Sequence, residues 1–403
     1  MNVFIIPSWY PCSANPYIGI FIQEQAMLYA QHFPDHNVGI STWGQSDPDL
    51  LLEIADWNQI PTKIVKKHRP DTHELKTNCI AYYRPAYTWT RRIARGNMDS
   101  ILQANFENLK RFENQFGKVD LIHAHVAHPG GFIAMKMSEQ LGVPFVITEH
   151  MSPFPFAIYE KNNGLNSLIA TPMRKAHRTI CVSDALKKMV NEKIGVDSHV
   201  MHNFIDNDFF SLKQENTVNN SQYTLLFVGR LVPQKGVDIL IHALKIVLEK
   251  DHNFQLIICG SGEKELEYQN LSHQLGIHGK IHWLGDQSRE SVRDQLQASD
   301  ALVLPSRHEN NPLVISEAHS CGTPVVATRC GGSEEMIDTS NGLCAEPENI
   351  IDLATQIFRI KKHASEYHAA TIRQNYLLKN SSGMKAEQLN RHYKNVLDDT
   401  FST

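Results

Sequence analysis

The stretch ALVLPSRHENNPLVISEAHSCGTPVVAT, Ala301 to Thr328, decides the fold. Its two short apolar runs, ALVLP and PVVAT, read as buried parallel strands. Parallel neighbours need a crossover, and the residues between them supply a helix. Asn311 suits the N-cap, Pro312 the first helical position where its missing N–H costs nothing, and Gly322 the C-cap, with Pro324 just beyond. The spacing therefore predicts strand, loop, helix and strand in succession. Glu309 falls in the loop before the helix N-terminus. Glu317 falls five residues into the helix, about 7.5 Å along at ~1.5 Å per residue. A ligand lying across the helix start reaches both carboxylates, and the free N–H groups and helix dipole there favour a phosphate. Taken alone, the segment reads equally well as a solvated helix glutamate and a loop charge.

Outward from this segment the same alternation recurs. Strands are expected at NVFII, VDLIHAHV, PFVITEH and RTICVS in the first half, and at TLLFVGR, FQLIICG and KIHWLG in the second. Strands alternating with helical stretches mark a parallel α/β architecture. The polar, Asn-rich segment HNFIDNDFFSLKQENTVNNSQ, His202 to Gln222, reads as a linker. These patterns predict a first domain over 1–205, a linker over 206–222 and a second domain over 223–383. An amphipathic helix over about 384–403 is expected to return to the first domain. The expected fold class is α/β, with two doubly wound Rossmann-like domains whose parallel sheets face each other across a cleft. Ligands then bind at the carboxyl ends of the strands. A chain of 403 residues has the length for two such cores.

Composition excludes several classes. With 42% apolar and 20% charged residues the chain is of ordinary soluble type. No apolar run approaches the ~18 residues of a membrane span. The segment MNVFIIPSWYP reads as a first strand, not a signal peptide. The 7 cysteines are scattered and contain no C-x-x-C pair, which predicts reduced thiols in a cytosolic protein rather than structural zinc or disulfides. A net charge of −4 argues against a dedicated nucleic-acid binder. Lys63 to Arg95 is locally basic, with only Asp71 and Glu74 opposing, and Tyr82, Tyr83, Tyr87 and Trp89 are interleaved. That stretch suits either a solvated face or contact with anionic lipid headgroups or an acidic acceptor. The expected location is cytoplasmic, with peripheral contact to the cytoplasmic face of the membrane through 63–95.

The motifs fall just after strands. In FVGRLVPQKG, Arg230 and Lys235 flank a turn that aims both cations above the strand end. A planar fork of donors and a mobile point charge together suit a diphosphate. IICGSGE carries Gly260 and Gly262, but Glu265 stands where a dinucleotide fingerprint wants Gly or Ala, so an NAD site is disfavoured. TRCGGSEEMI adds a turn-like glycine pair. LIHAHVAHPGG places His123 and His125 on the same side of a strand by the two-residue period. With His128 or His150 they would make a zinc site only if a third ligand matched in geometry. Gly19 in IPSWYPCSANPYIGIFIQEQA reads as a turn glycine or as a point of close approach to a ligand.

In this order and spacing, FVGRLVPQKG, IICGSGE, PSRHENNPLVISEAHSCGTPVVAT and GGSEEMI resemble the retaining glycosyltransferases of family 4, which have the two-domain GT-B fold. The likeness is strongest over 223–345 and continues through PSWYP, GIFIQEQA, DLIHAHVAHPGG, ICVSDALKKMV and HNFIDNDFF. Glu309 and Glu317 match that family's E-x7-E pair. The resemblance implies that Glu309 contacts the donor sugar and Glu317 the ribose hydroxyls. It likewise implies that Arg230 and Lys235 hold the donor diphosphate, and that Gly19 presents backbone to the phosphates. His125 is implied to project toward the reacting sugar. Gly260, Gly262, Asn310, Asn311, Pro312, Leu313 and Val314 complete the expected donor site, with His150 and Ser152 as acceptor-side candidates. The implied activity moves a sugar from a nucleotide diphosphate sugar, a UDP-sugar first among them, to a glycan, lipid-linked or small hydroxyl acceptor. Retention of configuration and no obligatory metal or other cofactor are implied. A GT-B isomerase or phosphorylase, and a non-catalytic nucleotide-sugar binder, are the competing classes. The chain departs from the family in placing Asn310 and Asn311 after the first glutamate, where Gly is common, and His319 where an apolar residue is common. Both departures bear on donor choice.

Overall fold

The computed structural model describes residues 1–12, 16–45, 47, 50–52, 70–89, 94–161, 164–212 and 222–401. The chain forms two units: Met1–Val182 with Leu186–Asn203 and Gly383–Thr403, and Ser183–Ala185 with Phe204–Ser382.

The first unit is built on one eight-stranded sheet. Its strands are β1 (Asn2–Pro7), β2 (Asn37–Thr42), β3 (Asp71–Lys76), β4 (Cys79–Tyr83), β5 (Leu121–His125), β6 (Phe145–Glu149), β7 (Arg178–Cys181) and β8 (His199–Val200). They lie in the order β8-β7-β6-β5-β1-β2-β4-β3. Every pair is parallel except β3 with β4, which form an antiparallel hairpin at one edge. Phe4, Ile6, Ile122 and Ala124 pack beneath Phe112 and Ile133 as the core of this unit.

Among the described residues the second unit has six strands, all parallel: β9 (Tyr223–Val228), β10 (Phe254–Cys259), β11 (Ile281–Gly285), β12 (Ala301–Leu304), β13 (Val325–Thr328) and β14 (Gly342–Ala345). Their order is β11-β10-β9-β12-β13-β14. β12 is buried along its whole length, which is why ALVL is an unbroken apolar run instead of an alternating one. Each fully buried Leu or Phe in such a strand contributes about 1.5–3 kcal/mol relative to exposure.

Both sheets reverse direction once. In the second unit the chain steps outward through β9, β10 and β11, then returns to the far side of β9 as β12. A crevice opens at such a reversal, between the loops that follow the two diverging strands. Here those loops hold Arg230 and Lys235 on one side and Glu309 on the other. In the first unit the reversal lies between β1 and β5, so the loop containing Gly19 and the end of β5 at His125 border it.

Two sequence expectations change. The linker is shorter than 206–222, because Ile205 and Phe210 are buried in the second core, Asp206 Oδ1 accepts from the N–H groups of Asp208 and Phe209, and Arg373 donates to the Phe210 carbonyl at 2.7 Å. Residues 213–221 lie outside the described residues. In the basic stretch, Lys63, Lys66, Lys67, Arg69, Arg91 and Arg92 also lie outside them, while Tyr82 is not a surface aromatic: it is 2% exposed and donates to Gln115. Among the described residues no helix is long and apolar enough to cross a membrane. The helix Ser382–Phe401 groups with the first unit from Gly383 onward.

Candidate functional site

At the carboxyl edge of the second sheet, the loops after β9 and β12 are stapled together. Arg307 N donates to the Gln234 carbonyl at 2.7 Å, and Gln234 Nε2 donates to the His308 carbonyl at 2.8 Å. The Arg307 guanidinium donates to both Asp238 oxygens, at 3.0 and 2.8 Å, and to Glu348. Burial lifts the Asp238 carboxyl, but the hydrogen bonds and charge of Arg307 outweigh it and hold it below the usual range.

That staple sets Lys235 against Glu309. Lys235 Nζ lies 2.5 Å from Glu309 Oε1, and the same oxygen accepts from Ser306 Oγ at 2.7 Å. Glu309 is 7% exposed and the Lys235 side chain 22%, so the pair is largely withdrawn from water yet open on one side. The backbone of Glu309 is gripped as well. It forms a parallel bridge to Gly331, and Gly332 N donates to its carbonyl at 2.8 Å. A Cβ on Gly332 would stand 1.5 Å from the Asn310 carbonyl oxygen, so the glycine pair read as a simple turn is the cradle of the glutamate loop.

Arg230 is exposed at the tip of the loop after β9. Pairing continues past the strand ends here: Gly229 N donates to the Cys259 carbonyl at 3.0 Å and Leu231 N to the Ser261 carbonyl at 2.8 Å. A Cβ on Gly260 would meet the Gly229 oxygen at 2.0 Å, and one on Gly262 the Leu231 oxygen at 2.4 Å. Those glycines thus serve the close approach of the two loops that display Arg230. The Lys235 stem passes over Gly229, which sets the lysine beside the arginine loop.

The helix after Glu309 runs Leu313–Cys321, and its N-cap is Pro312 at φ −70, ψ 110. This corrects the expected Asn311 cap: Pro312 is itself extended, so the helix begins one residue later, at Leu313. The Asn311 amide turns instead toward Met336 Sδ at 3.5 Å. Asn310 and Asn311 are buried, Leu313 and Val314 are half-buried in the first turn, and Glu317 is half-buried in the second. Gly322 caps the C-terminus at φ 79 as expected. His319 is buried, with Tyr376 its ring neighbour at 6.2 Å, and burial pushes it down to about 4, so it is a neutral core residue.

In the first unit, β5 delivers His123 and His125 to the reversal point. Ser8 N donates to the His125 carbonyl at 3.0 Å, and Gly130 N to Ser8 Oγ at 2.9 Å, tying the loops after β1 and β5. The His123 and His125 rings lie 4.3 Å apart, on the same side as the strand period requires. His125 Nδ1 meets His150 Nε2 at 2.9 Å, which leaves His125 Nε2 and His150 Nδ1 buried without hydrogen-bond partners. Burial lowers all three imidazoles, His123 and His150 to about 3, with neighbouring imidazoles adding to the effect on His123 and His125. Each is therefore neutral near pH 7. The loop carrying His150 is fixed by Glu149, a fully buried carboxylate that accepts from the N–H groups of Ala127, His150 and Met151 at 2.9, 2.9 and 2.8 Å.

His128 does not join this cluster; its Nδ1 meets Tyr159 Oη at 3.0 Å. Among the described residues no group of three or more His, Cys, Asp or Glu side chains is arranged to hold a metal ion. Gly19 is the N-cap of the helix Ile20–His32 at φ 68, and a Cβ there would lie 2.3 Å from the Trp9 carbonyl oxygen. Its lack of a side chain is thus required by the β1 loop itself. His150 packs against Phe21 at 4.8 Å, and Ser152 is half-buried two residues on. A cavity of about 580 Å³ in the same unit is lined by Tyr10, Gln23, Gln45, Asp71, Glu74 and Tyr83 among others, and by neither His150 nor Ser152.

Two family models match the chain, Glycosyltransferase Family 4 over residues 64–209 and Glycosyl transferases group 1 over 208–376. An uncharacterized glycosyltransferase of Methanocaldococcus jannaschii is 35% identical over 249 residues, 60% of this chain and 65% of that protein, so the match spans just under two thirds of the relative. A Bacillus subtilis protein, named as the teichuronic acid biosynthesis glycosyltransferase TuaC, is 27% identical over 378 residues, 89% of each chain. The crystal structure of Anabaena HepE in complex with UDP superposes with a TM-score of 0.69 at 18% identity, covering 98% of this chain and 100% of that one. With two parallel α/β units and consecutive family matches from residue 64 to residue 376, the chain belongs to the family 4 glycosyltransferases of the GT-B fold.

Proposed function

We propose that the protein transfers a sugar from a UDP-sugar to a hydroxyl group of a glycan, lipid-linked or small acceptor, with retention of anomeric configuration and without an obligatory metal. The observation that carries this reading is the Lys235–Glu309 pair, 2.5 Å apart at the reversal point of the second sheet, with Arg230 exposed on the adjoining loop.

Departure of the nucleotide places negative charge on the leaving phosphate. Preorganised cations aimed at that charge are the largest single aid to such a step. Arg230 offers a fork of donors to the diphosphate and Lys235 a point charge. Glu309 holds Lys235 in place and accepts from a donor-sugar hydroxyl, while Glu317, one turn into the helix, accepts from the ribose. His125, neutral and buried with Nε2 unpartnered, is the residue of the first unit that we assign to the sugar. The UDP preference is supported by the nucleotide in the HepE structure, a likeness of fold, and the role in glycan synthesis by the name of TuaC. The cavity of the first unit supports a hydroxyl-rich acceptor: Tyr10 and Tyr83 are among its lining residues, as are Gln23, Asp71 and Glu74, whose side chains carry hydrogen-bond acceptors.

The test is a thermal-shift panel of UDP-, GDP- and ADP-sugars, followed by turnover with the best donor. A donor at about a hundred times its dissociation constant adds ~2.7 kcal/mol of stability. Acceptor-dependent release of UDP, unaffected by EDTA, and an unchanged anomeric proton coupling in the product are expected. UDP release without acceptor, or full activity in Glu309→Ala, overturns the reading.

A further inference from the structure

We propose that Tyr393, on the helix Ser382–Phe401, is a positioning residue for His125. The inference rests on the reading of His125 as the residue that faces the sugar. Tyr393 Oη lies 2.7 Å from His123 Nδ1, and His123 Nε2 lies 2.8 Å from Thr148 Oγ1. Both ring nitrogens of His123 are therefore engaged, and the ring cannot turn over without breaking two buried hydrogen bonds. His123 is the wall on which His125 rests, at 4.3 Å between ring centroids. On its other side His125 is held by His150 through Nδ1, so its ring plane is set from both directions, and Nε2 alone, buried, has no hydrogen-bond partner.

Tyr393 is itself held from behind. Its ring meets Tyr29 edge-on at 5.4 Å, and Tyr29 Oη donates to Asn390 Oδ1, one turn earlier on the same helix, at 3.0 Å. Tyr29 Oη also lies 2.9 Å from His36 Nδ1. Tyr29, Tyr393, His123 and His125 are each at most 2% exposed, so the whole chain of contacts is shielded from water. Removing the Tyr393 hydroxyl leaves His123 Nδ1 buried without a partner, a situation that folded chains avoid by rearranging.

The test uses the full chain and three variants, with transfer rates, donor KM, thermal midpoints and imidazole ¹⁵N resonances measured well below the midpoint. Tyr393→Phe is expected to lower kcat about tenfold, to leave donor KM within about twofold, and to move the ¹⁵N signals of His123 and His125. Tyr29→Phe, which removes a hydroxyl from the same helix contact without touching His123, is expected to lower the midpoint and to leave kcat unchanged. In a double-mutant cycle, Tyr393→Phe is expected to add no further loss to His123→Phe. Equal kcat losses in Tyr29→Phe and Tyr393→Phe, or unmoved His125 resonances in Tyr393→Phe, overturn the proposal. Full activity in His125→Ala instead removes the sugar-facing reading, and the ¹⁵N comparison still decides whether Tyr393 orients the ring.

Discussion

Glu309 and Lys235 stand 74 residues apart in sequence and 2.5 Å apart in space, and Ser306 donates to the same carboxylate oxygen. The glutamate is therefore fixed by charge from one loop and by a hydroxyl from its own. Glu309→Ala leaves a half-withdrawn ammonium without its partner. The expected outcome is a loss of transfer of at least about 100-fold, equal to ~2.7 kcal/mol of barrier, with ~1–3 kcal/mol of stability lost. Steady-state kinetics and urea unfolding check the two parts separately.

Arg230 is exposed, so its removal should cost the fold little. Arg230→Ala is expected to stay within ~0.5 kcal/mol of the parent in unfolding free energy. Donor kcat/KM should nevertheless fall by about two orders of magnitude, and Arg230→Lys should recover only part of it, because a point charge does not reproduce the fork. Equal kinetics for Arg230→Ala and the parent would show that the diphosphate is held elsewhere.

The glycine cradle gives a steric prediction. In Gly332→Ala the new methyl group would stand 1.5 Å from the Asn310 carbonyl oxygen, so the glutamate loop must move. A loss of ~3 kcal/mol is expected, together with weakened nucleotide binding. Gly276 is the control: it has φ +68 but open space around its Cβ, so Gly276→Ala should cost only ~1 kcal/mol and leave binding intact. Calorimetric unfolding with and without UDP checks both.

The buried histidines give a pH prediction. His123 and His150 fall from an ordinary 6.5 to about 3 in the folded chain. Between those values the unfolded chain binds more protons than the folded one, so stability falls as the medium is acidified. The histidine contribution is full above about pH 6.5 and is lost progressively toward pH 3. Glu149, whose carboxyl burial pushes above 4.5, works in the opposite direction. Thermal midpoints at pH 7, 5 and 4 should decline, and replacing His123 by Phe should flatten the decline.

Much of this architecture was legible because buried parallel strands are written as apolar runs: NVFII, TLLFVGR, FQLIICG, ALVLP and PVVAT all become strands. Of the strands that escaped reading, β2 and β3 have physical reasons to do so. β2 carries Gly39 at the place where the Phe112 ring would meet a Cβ at 2.5 Å, and β3, DTHELK, is an exposed edge with no apolar face. In the site, Lys235 and Glu309 announced themselves as charges after strands. Ser306, Arg307 and the Gly331–Gly332 cradle did not, because their partners are supplied by tertiary folding. The strand period placed His123 and His125 together, yet nothing local indicated that Tyr393, 270 residues further on, would meet His123.

The Ser382–Phe401 helix also has a consequence for biosynthesis. The ribosome makes the whole second unit before it makes this helix, although the helix belongs to the unit whose strands were made first. Tyr29 and His123 therefore gain their contacts with Asn390 and Tyr393 only after the second unit has been made. A chain ending near Ser381 would accordingly lack the Tyr393 contact to His123 and the Tyr29–Asn390 hydrogen bond of its first unit.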